Sequence, residues 1–519
     1  MSDVLVLNGK GDEFIILQPF LRNRQRFPIP TISAIFVLQR FETAMLFSSA
    51  IFLFLFLPLV LAVYFLSPKR FRNAVLLLAS LAFYTWGEQE MVLLIVLSAV
   101  VDYTAGILIK RKYRKQGLFL SVVFNLGILI YFKYANFLLE NLLFVTESLG
   151  FEVQSLADFS EVALPLGISF YTFQTMSYTL DVYRGKVEAS TNFLNFATYV
   201  TLFPQLVAGP IVRYKEVEKE LTQRNTTVSD FSEGIRRFVI GFGKKMLLAN
   251  NLAYVADGAF ELPASQLSTS FAWVGLLAYS LQIYFDFSGY SDMAIGLGRM
   301  FGFRFPENFN YPYFSKSIRE FWRRWHITLS AWFKDYLYIS MGGNRVPPWR
   351  VCLNLLVVFF ATGLWHGAKW NFVVWGLWHG LFLIGERIFK KQKSLKRVPR
   401  LFYHIYALFV VGVGWVFFRA PDLESALQYL KRLFSFAAES SDNTFLTYFL
   451  RTECLIAFLF AGFLAVPLQE FLKTRGKSFL EKRATVFLIT EHLFLLLVFA
   501  ISCFYIAVDA YNPFIYFRF

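Results

Sequence analysis

Long apolar runs alternate with short charged clusters along most of this chain. Leu46 to Leu66, Val92 to Ile109, Val351 to Trp365 and Val486 to Val508 are nearly free of charge. A helix needs roughly 20 such residues to cross the hydrocarbon core of a bilayer. The pattern predicts an all-α polytopic membrane protein with roughly 10–12 transmembrane or re-entrant helices and interfacial helices around a central tunnel.

The charged clusters orient the runs, because basic residues of multi-pass proteins gather in cytoplasmic loops. Lys69, Arg70 and Arg72 follow the first run, Lys110 to Lys115 follow Val92 to Ile109, and further basic blocks occupy Lys390 to Arg400 and Lys473 to Arg483. Spans at 73–86 and 91–109 are then joined by an external acidic turn, Gly87 to Glu90. Residues 401–418 leave the cytoplasm, 419–450 lie outside, 452–471 return, 484–508 go out again, and the tail 511–519 is external. Between 160 and 350 the apolar stretches are broken by Pro165, Pro204, Pro210, Pro306 and Pro312 and by many glycines. Broken backbone at membrane depth survives only inside protein or against a cavity. The ends therefore read as scaffold and the middle, about 200–390, as the catalytic core.

Residues 1–44 do not fit this pattern. They hold no span and no signal-peptide core, and they carry Arg22, Arg24 and Arg26, which the charge rule would keep from crossing. The expectation is a disordered or mis-annotated prefix, with Met45 as the natural start and 45–519 as a single transmembrane domain.

Composition agrees with the membrane class: 56% of residues are hydrophobic, only 17% are charged, and mean hydropathy is +0.48. The net charge of +15 follows from the loop clusters and does not indicate nucleic-acid binding. Cys352, Cys454 and Cys503 are scattered in apolar surroundings and support neither a disulfide framework nor a metal site. No phosphate-binding glycine loop follows a strand pattern.

Five histidines occur in the chain, and His326, His366 and His379 each directly follow a tryptophan within one stretch. Ionisable side chains at membrane depth are costly and mark functional sites by default, and imidazole is suited to moving protons near neutral pH. His366 ends an apolar helix at Gly367, where it is placed to act as a general base; His379 reads as a supporting residue. Arg319 to Ser330 has the spacing of one amphipathic helix, with Arg319, Arg323 and His326 on one face and Phe321, Trp325 and Leu329 on the other. Guanidinium groups such as Arg323 and Arg324 suit phosphate oxygens. Asp286 and Asp292 are carboxylates in an apolar run, with small residues between them that permit close helix packing. Either they meet basic partners within the bundle or they serve the site directly.

Several segments together carry a resemblance: Tyr131 to Phe137, Leu164 to Phe170, Pro204 to Arg213, Tyr284 to Gly298, Phe321 to Ser330, Asp335 to Arg345, Leu364 to Ala368 and Pro513 to Phe519. With Met45 to Ser49 they cover nearly everything after the prefix. The chain resembles the membrane-bound O-acyltransferases, and among them the bacterial branch that acetylates alginate. The resemblance implies an O-acetyltransferase of the bacterial cytoplasmic (inner) membrane that takes acetyl from cytoplasmic acetyl-CoA, with no permanently bound cofactor and no metal. An extracytoplasmic partner acetylase would then decorate an exported polysaccharide. It places the family's essential histidine on His366 and its second motif histidine on His326. On that basis His326, with Asn310 or Trp325, would polarise the thioester carbonyl or position the donor. Arg323, Arg324, Lys334 and Arg345 would hold the nucleotide end of CoA. Two relatives remain open, D-alanyl transfer to teichoic acid and peptidoglycan O-acetylation. So does a transporter without chemistry, in which Asp102, Asp286 and Asp292 would serve translocation.

Overall fold

The computed structural model describes residues 45–150, 162–389, 399–435, 444–468, 484–508 and 511–513. The expectation for residues 1–44 and the basic blocks at 390–398 and 473–483 lie outside these. Among the described residues the structure is helical, without strands. The helices that position the site are α1 (Arg72–Glu88), α2 (Val92–Lys110), α3 (Arg114–Leu129), α4 (Ile168–Tyr183), α5 (Val228–Gly243), α6 (Thr269–Met300), α7 (Ile318–Arg324), α8 (Ile327–Trp332), α9 (Pro348–His366), α10 (Trp370–Phe389) and α11 (Arg400–Arg419).

Among the described residues, six helical stretches are long and apolar enough to cross a membrane: Lys69–Lys110, Arg114–Ser148, Pro348–His366, Trp370–Phe389, Arg400–Arg419 and Leu488–Ala507. The shorter Phe52–Leu66 and Thr452–Leu464 are also apolar. Apolar side chains that a soluble protein would hide, such as Leu459, Phe494 and Leu497, stand exposed along them, as helices in lipid require. The Gly87 to Glu90 turn is present: α1 stops at Glu88, and Gln89 takes a positive φ of 44° before α2 begins.

The broken middle is the core. Helix α6 is buried along most of its length and packs against α5 through glycines. A Cβ on Gly241 would fall 2.5 Å from the Gly289 carbonyl oxygen, and one on Gly296 would fall 2.6 Å from that of Gly234. Only hydrogen at these positions lets the two backbones approach so closely. Pro204 sits within the short helical turn Phe203–Leu206, which ends before Pro210; the chain then runs without regular structure to Arg213, and residues 200–214 are all buried. This is the interrupted backbone that the prolines predict.

Candidate active site

Helix α9 ends at His366 because Gly367 is extended, with φ −161° and ψ 145°. Its last turns lie directly on α10: a Cβ on Gly363 would meet the Phe372 carbonyl oxygen at 2.4 Å, and one on Gly376 that of Phe359 at 2.2 Å. This contact brings Trp375 against the His366 ring, with centroids 5.0 Å apart, while Trp365 and Phe418 lie at 4.9 and 5.1 Å. His366 is 5% exposed.

The single amphipathic helix expected over Arg319–Ser330 does not form. Helix α7 stops at Arg324, Trp325 is extended, and His326 adopts the left-handed conformation, φ 42° and ψ 55°, before α8 starts. That geometry costs a non-glycine residue on the order of 1–3 kcal/mol, and Asn308 holds it in place. The Asn308 carbonyl accepts from Ile327 N (2.9 Å). Its side-chain Oδ1 accepts from Thr328 N (3.3 Å) and Thr328 Oγ1 (2.9 Å) and contacts His326 Nδ1 (3.1 Å). Its Nδ2 donates to Ser291 of α6 at 3.2 Å. The break turns His326 away from the arginine face into the interior, where it is 0% exposed.

The two imidazole centroids are 6.5 Å apart, enclosed by Phe170, Phe287, Trp365, Trp375 and Phe418. The network also sets the tautomer of His326. Thr328 N–H can only donate, so the Asn308 atom it meets is the oxygen, and His326 Nδ1 must carry hydrogen to bond to that oxygen. In the neutral ring Nε2 then holds a lone pair, and it has no hydrogen-bond partner among the described residues. A neutral His326 therefore accepts at Nε2 and has no N–H for a carbonyl, which disfavours the expected polarising role.

Other predicted residues fall as follows. His379 is buried between Phe321, Trp322 and Trp375, and neither ring nitrogen has a partner among the described residues. Trp325 stacks on Phe321 at 5.6 Å and packs against Trp415 at 4.9 Å. Asn310 is exposed and engages Arg324 through its backbone, so the asparagine that contacts His326 is Asn308 and not Asn310. Asp286 pairs with Lys245 at 2.8 Å, both nearly inaccessible, and Asp292 pairs with Arg237 (2.6 Å) and Lys244 (2.7 Å). Both carboxylates thus tie α6 to α5 and the turn Lys244–Ala249 that follows it, while Phe287 and Ser291 of α6 meet the His326–Asn308 side.

On the outer face of α7 an open cavity of about 420 Å³ is lined by Ser317, Arg319, Glu320, Arg323 and Arg324. The start of α7 is fixed by Ser317 Oγ, which accepts from Glu320 N, and by the Glu386 carboxylate of α10, which accepts from Ile318 N and Arg319 N. Arg324 is held by Glu320 (2.9 Å), whereas Arg319 and Arg323 form no ion pair among the described residues. Burial raises the Glu320 carboxyl, but the Lys316 amide and the Arg324 guanidinium outweigh it and hold it below its usual range. Lys334 and Arg345 are exposed and do not line this cavity.

Residues 81–421 match the model of the membrane-bound O-acyltransferase family. The chain is 41% identical to a probable alginate O-acetylase AlgI of Azotobacter vinelandii over 505 residues, covering 92% of this chain and 100% of that one. It is 47% identical to the corresponding Pseudomonas aeruginosa protein over 397 residues, 76% of this chain and 75% of that one. A peptidoglycan O-acetyltransferase of Helicobacter pylori is 38% identical over 425 residues, 75% of this chain and 79% of that one.

Proposed function

This chain belongs to the membrane-bound O-acyltransferase family, and from that premise we propose that it moves acetyl from acetyl-CoA toward an exported, alginate-like polysaccharide. The observation that carries the mechanism is the pair of buried imidazoles 6.5 Å apart at the end of α9. His366 takes the proton of the acceptor hydroxyl as its oxygen attacks the thioester carbonyl. The carbon–sulfur bond then breaks and CoA leaves as the thiolate, to be protonated. His326, with its Nδ1 hydrogen committed to Asn308, offers the Nε2 lone pair to the hydroxyl or to the charged His366 ring. General-base assistance of this kind is worth about 10²–10⁴-fold.

The arginine cavity is the proposed seat of the CoA phosphates. Arg319 and Arg323 lie one helical turn apart and form no ion pair among the described residues, and the same segment runs through Trp325 to His326. The site would lie at the cytoplasmic side of the bacterial inner membrane, and an extracytoplasmic acetylase would receive the acetyl group. The likeness to the alginate acetylases favours this acceptor over peptidoglycan. The transporter alternative loses support from the aspartates, because Asp286 and Asp292 are engaged by Lys245, Arg237 and Lys244, and Asp102 accepts from Ser121 and Asn125.

The test is transfer of radiolabelled acetyl from acetyl-CoA by the purified protein in nanodiscs, with partner acetylase and polysaccharide present, beside a parallel assay with an acyl-carrier-protein donor. Label in the polysaccharide from acetyl-CoA supports the proposal. Transfer from the carrier protein alone replaces the donor, and no transfer from either donor overturns the reading.

A further inference from the structure

A helix leaves its last four carbonyls without partners of its own, and in α9 all four can be accounted for. Gly363 O accepts from Gly367 N at 3.2 Å, and Leu364 O accepts from Tyr134 Oη at 2.9 Å. Trp365 O accepts from Lys133 Nζ, which also reaches His366 O at 3.4 Å. Three of the four are thus satisfied by two consecutive side chains of the π-helical turn Ile130–Tyr134, which follows α3. Turns of this type recur at functional sites.

The remaining ammonium contact of Lys133 is to Ser169 Oγ at 3.0 Å. The Ser169 carbonyl in turn accepts from Trp365 Nε1 at 3.3 Å. Ser169 sits there because Gly167, with φ 74°, lies against the Leu206 carbonyl oxygen, only 2.9 Å from where its Cβ would stand, and starts α4.

Lys133 is buried and has no ion-pair partner among the described residues. An unpaired buried ammonium costs several kcal/mol, while a neutral donor such as the neighbouring Tyr134 caps a carbonyl without that cost. What offsets the charge is the negative end of α9, worth up to about 2 kcal/mol in a partly buried geometry, together with charge-assisted hydrogen bonds. That compensation comes from the C-terminal end of the helix that carries His366.

We propose that Lys133 is the positioning residue for His366, its ammonium fixing the final turn of α9 so that the imidazole meets the acceptor hydroxyl. The proposal rests on the acyl-transfer reading above. Because misplacement of a reacting group by about 1 Å costs about 10²-fold in rate, the signature is a loss in kcat.

The experiment measures acetyl transfer by the full-length protein in nanodiscs, with acetyl-CoA affinity and thermal unfolding followed in parallel. Lys133→Met keeps the stem and removes all three donors. Its kcat is expected to fall about 30–100-fold with the acetyl-CoA KM within about twofold, and Lys133→Arg is expected to recover about tenfold over Met. Tyr134→Phe frees only Leu364 O and is expected to stay within about threefold of wild type. A Lys133→Met enzyme with kcat within about threefold of wild type overturns the proposal, as does a loss equal in the Met and Arg variants. If Lys133→Met is not recovered folded, Ser169→Ala decides. A fall of about three- to tenfold in kcat at unchanged KM supports the proposal, and no fall overturns it. Failure of the acyl-transfer reading shows separately, as absent wild-type turnover, and removes this inference with it.

Discussion

Asn308→Ala isolates the contribution of the His326 geometry. The side chain accepts from Thr328 N, Thr328 Oγ1 and His326 Nδ1, and donates to Ser291 Oγ. The Thr328 hydroxyl can rotate to another acceptor and still accepts from Ile211 N at 3.0 Å, and Ser291 Oγ loses only a donor. The Thr328 amide and the His326 Nδ1 hydrogen have no such freedom. Two stranded buried donors at about 1–3 kcal/mol each destabilise the fold by about 2–6 kcal/mol. The left-handed backbone at His326 loses its restraint at the same time.

If about 1.5–3 kcal/mol of this falls on the placement of His326 in the transition state, kcat drops about 10–100-fold. Acetyl transfer by folded protein in nanodiscs, normalised to active-site occupancy by acetyl-CoA, measures that drop. Ser291→Ala is the control, because it breaks only the 3.2 Å contact to Nδ2 and leaves the oxygen side of the amide intact. Its kcat should stay within about threefold of wild type. Equal effects of the two substitutions, or an Asn308→Ala enzyme within about twofold of wild type, would refute the argument that Asn308 acts through His326.

Gly376→Ala places a Cβ 2.2 Å from the Phe359 carbonyl oxygen; forcing α9 and α10 apart should cost about 1–3 kcal/mol, read as a lower unfolding midpoint in detergent. Asp286→Asn leaves the buried Lys245 without its carboxylate. It should cost about 3–5 kcal/mol of stability while each folded molecule keeps its turnover, a result that also separates an ion pair from a translocation residue. Arg319→Gln with Arg323→Gln should raise the acetyl-CoA KM about 10-fold or more at unchanged kcat, and added salt should weaken the wild type more than the double variant. Titration of transfer rate against donor at two ionic strengths checks this.

The apolar runs announced the helical scaffold because length and hydrophobicity alone decide whether a helix can span. His366 was legible for a related reason: an imidazole ends an apolar run where Gly367 ends the helix. Asn308 was not, since Asn308 and Asn310 alternate in one loop, and only the folding of 308–310 against Arg324 and Ile327 decides which faces inward. The same backbone pairing breaks the Arg319–Ser330 periodicity that had suggested one helix. Lys133 was hidden by sequence distance, because its partner Trp365 lies 232 residues away. Its segment, Tyr131 to Phe137, entered only as one of those that carry the family resemblance. For Asp286 and Asp292 the apolar spacing left two roles open, and the facing basic residues of α5 and its following turn determine their surroundings.

In the proposed reaction His366 performs the chemistry while the donor is held elsewhere. Comparing wild type with His366→Ala for both acetyl-CoA binding and acetyl transfer tests it most directly. Equal donor affinity and a loss of transfer of at least about 10²-fold are expected in the variant. Transfer by folded His366→Ala protein at a rate near that of wild type would contradict this role of His366.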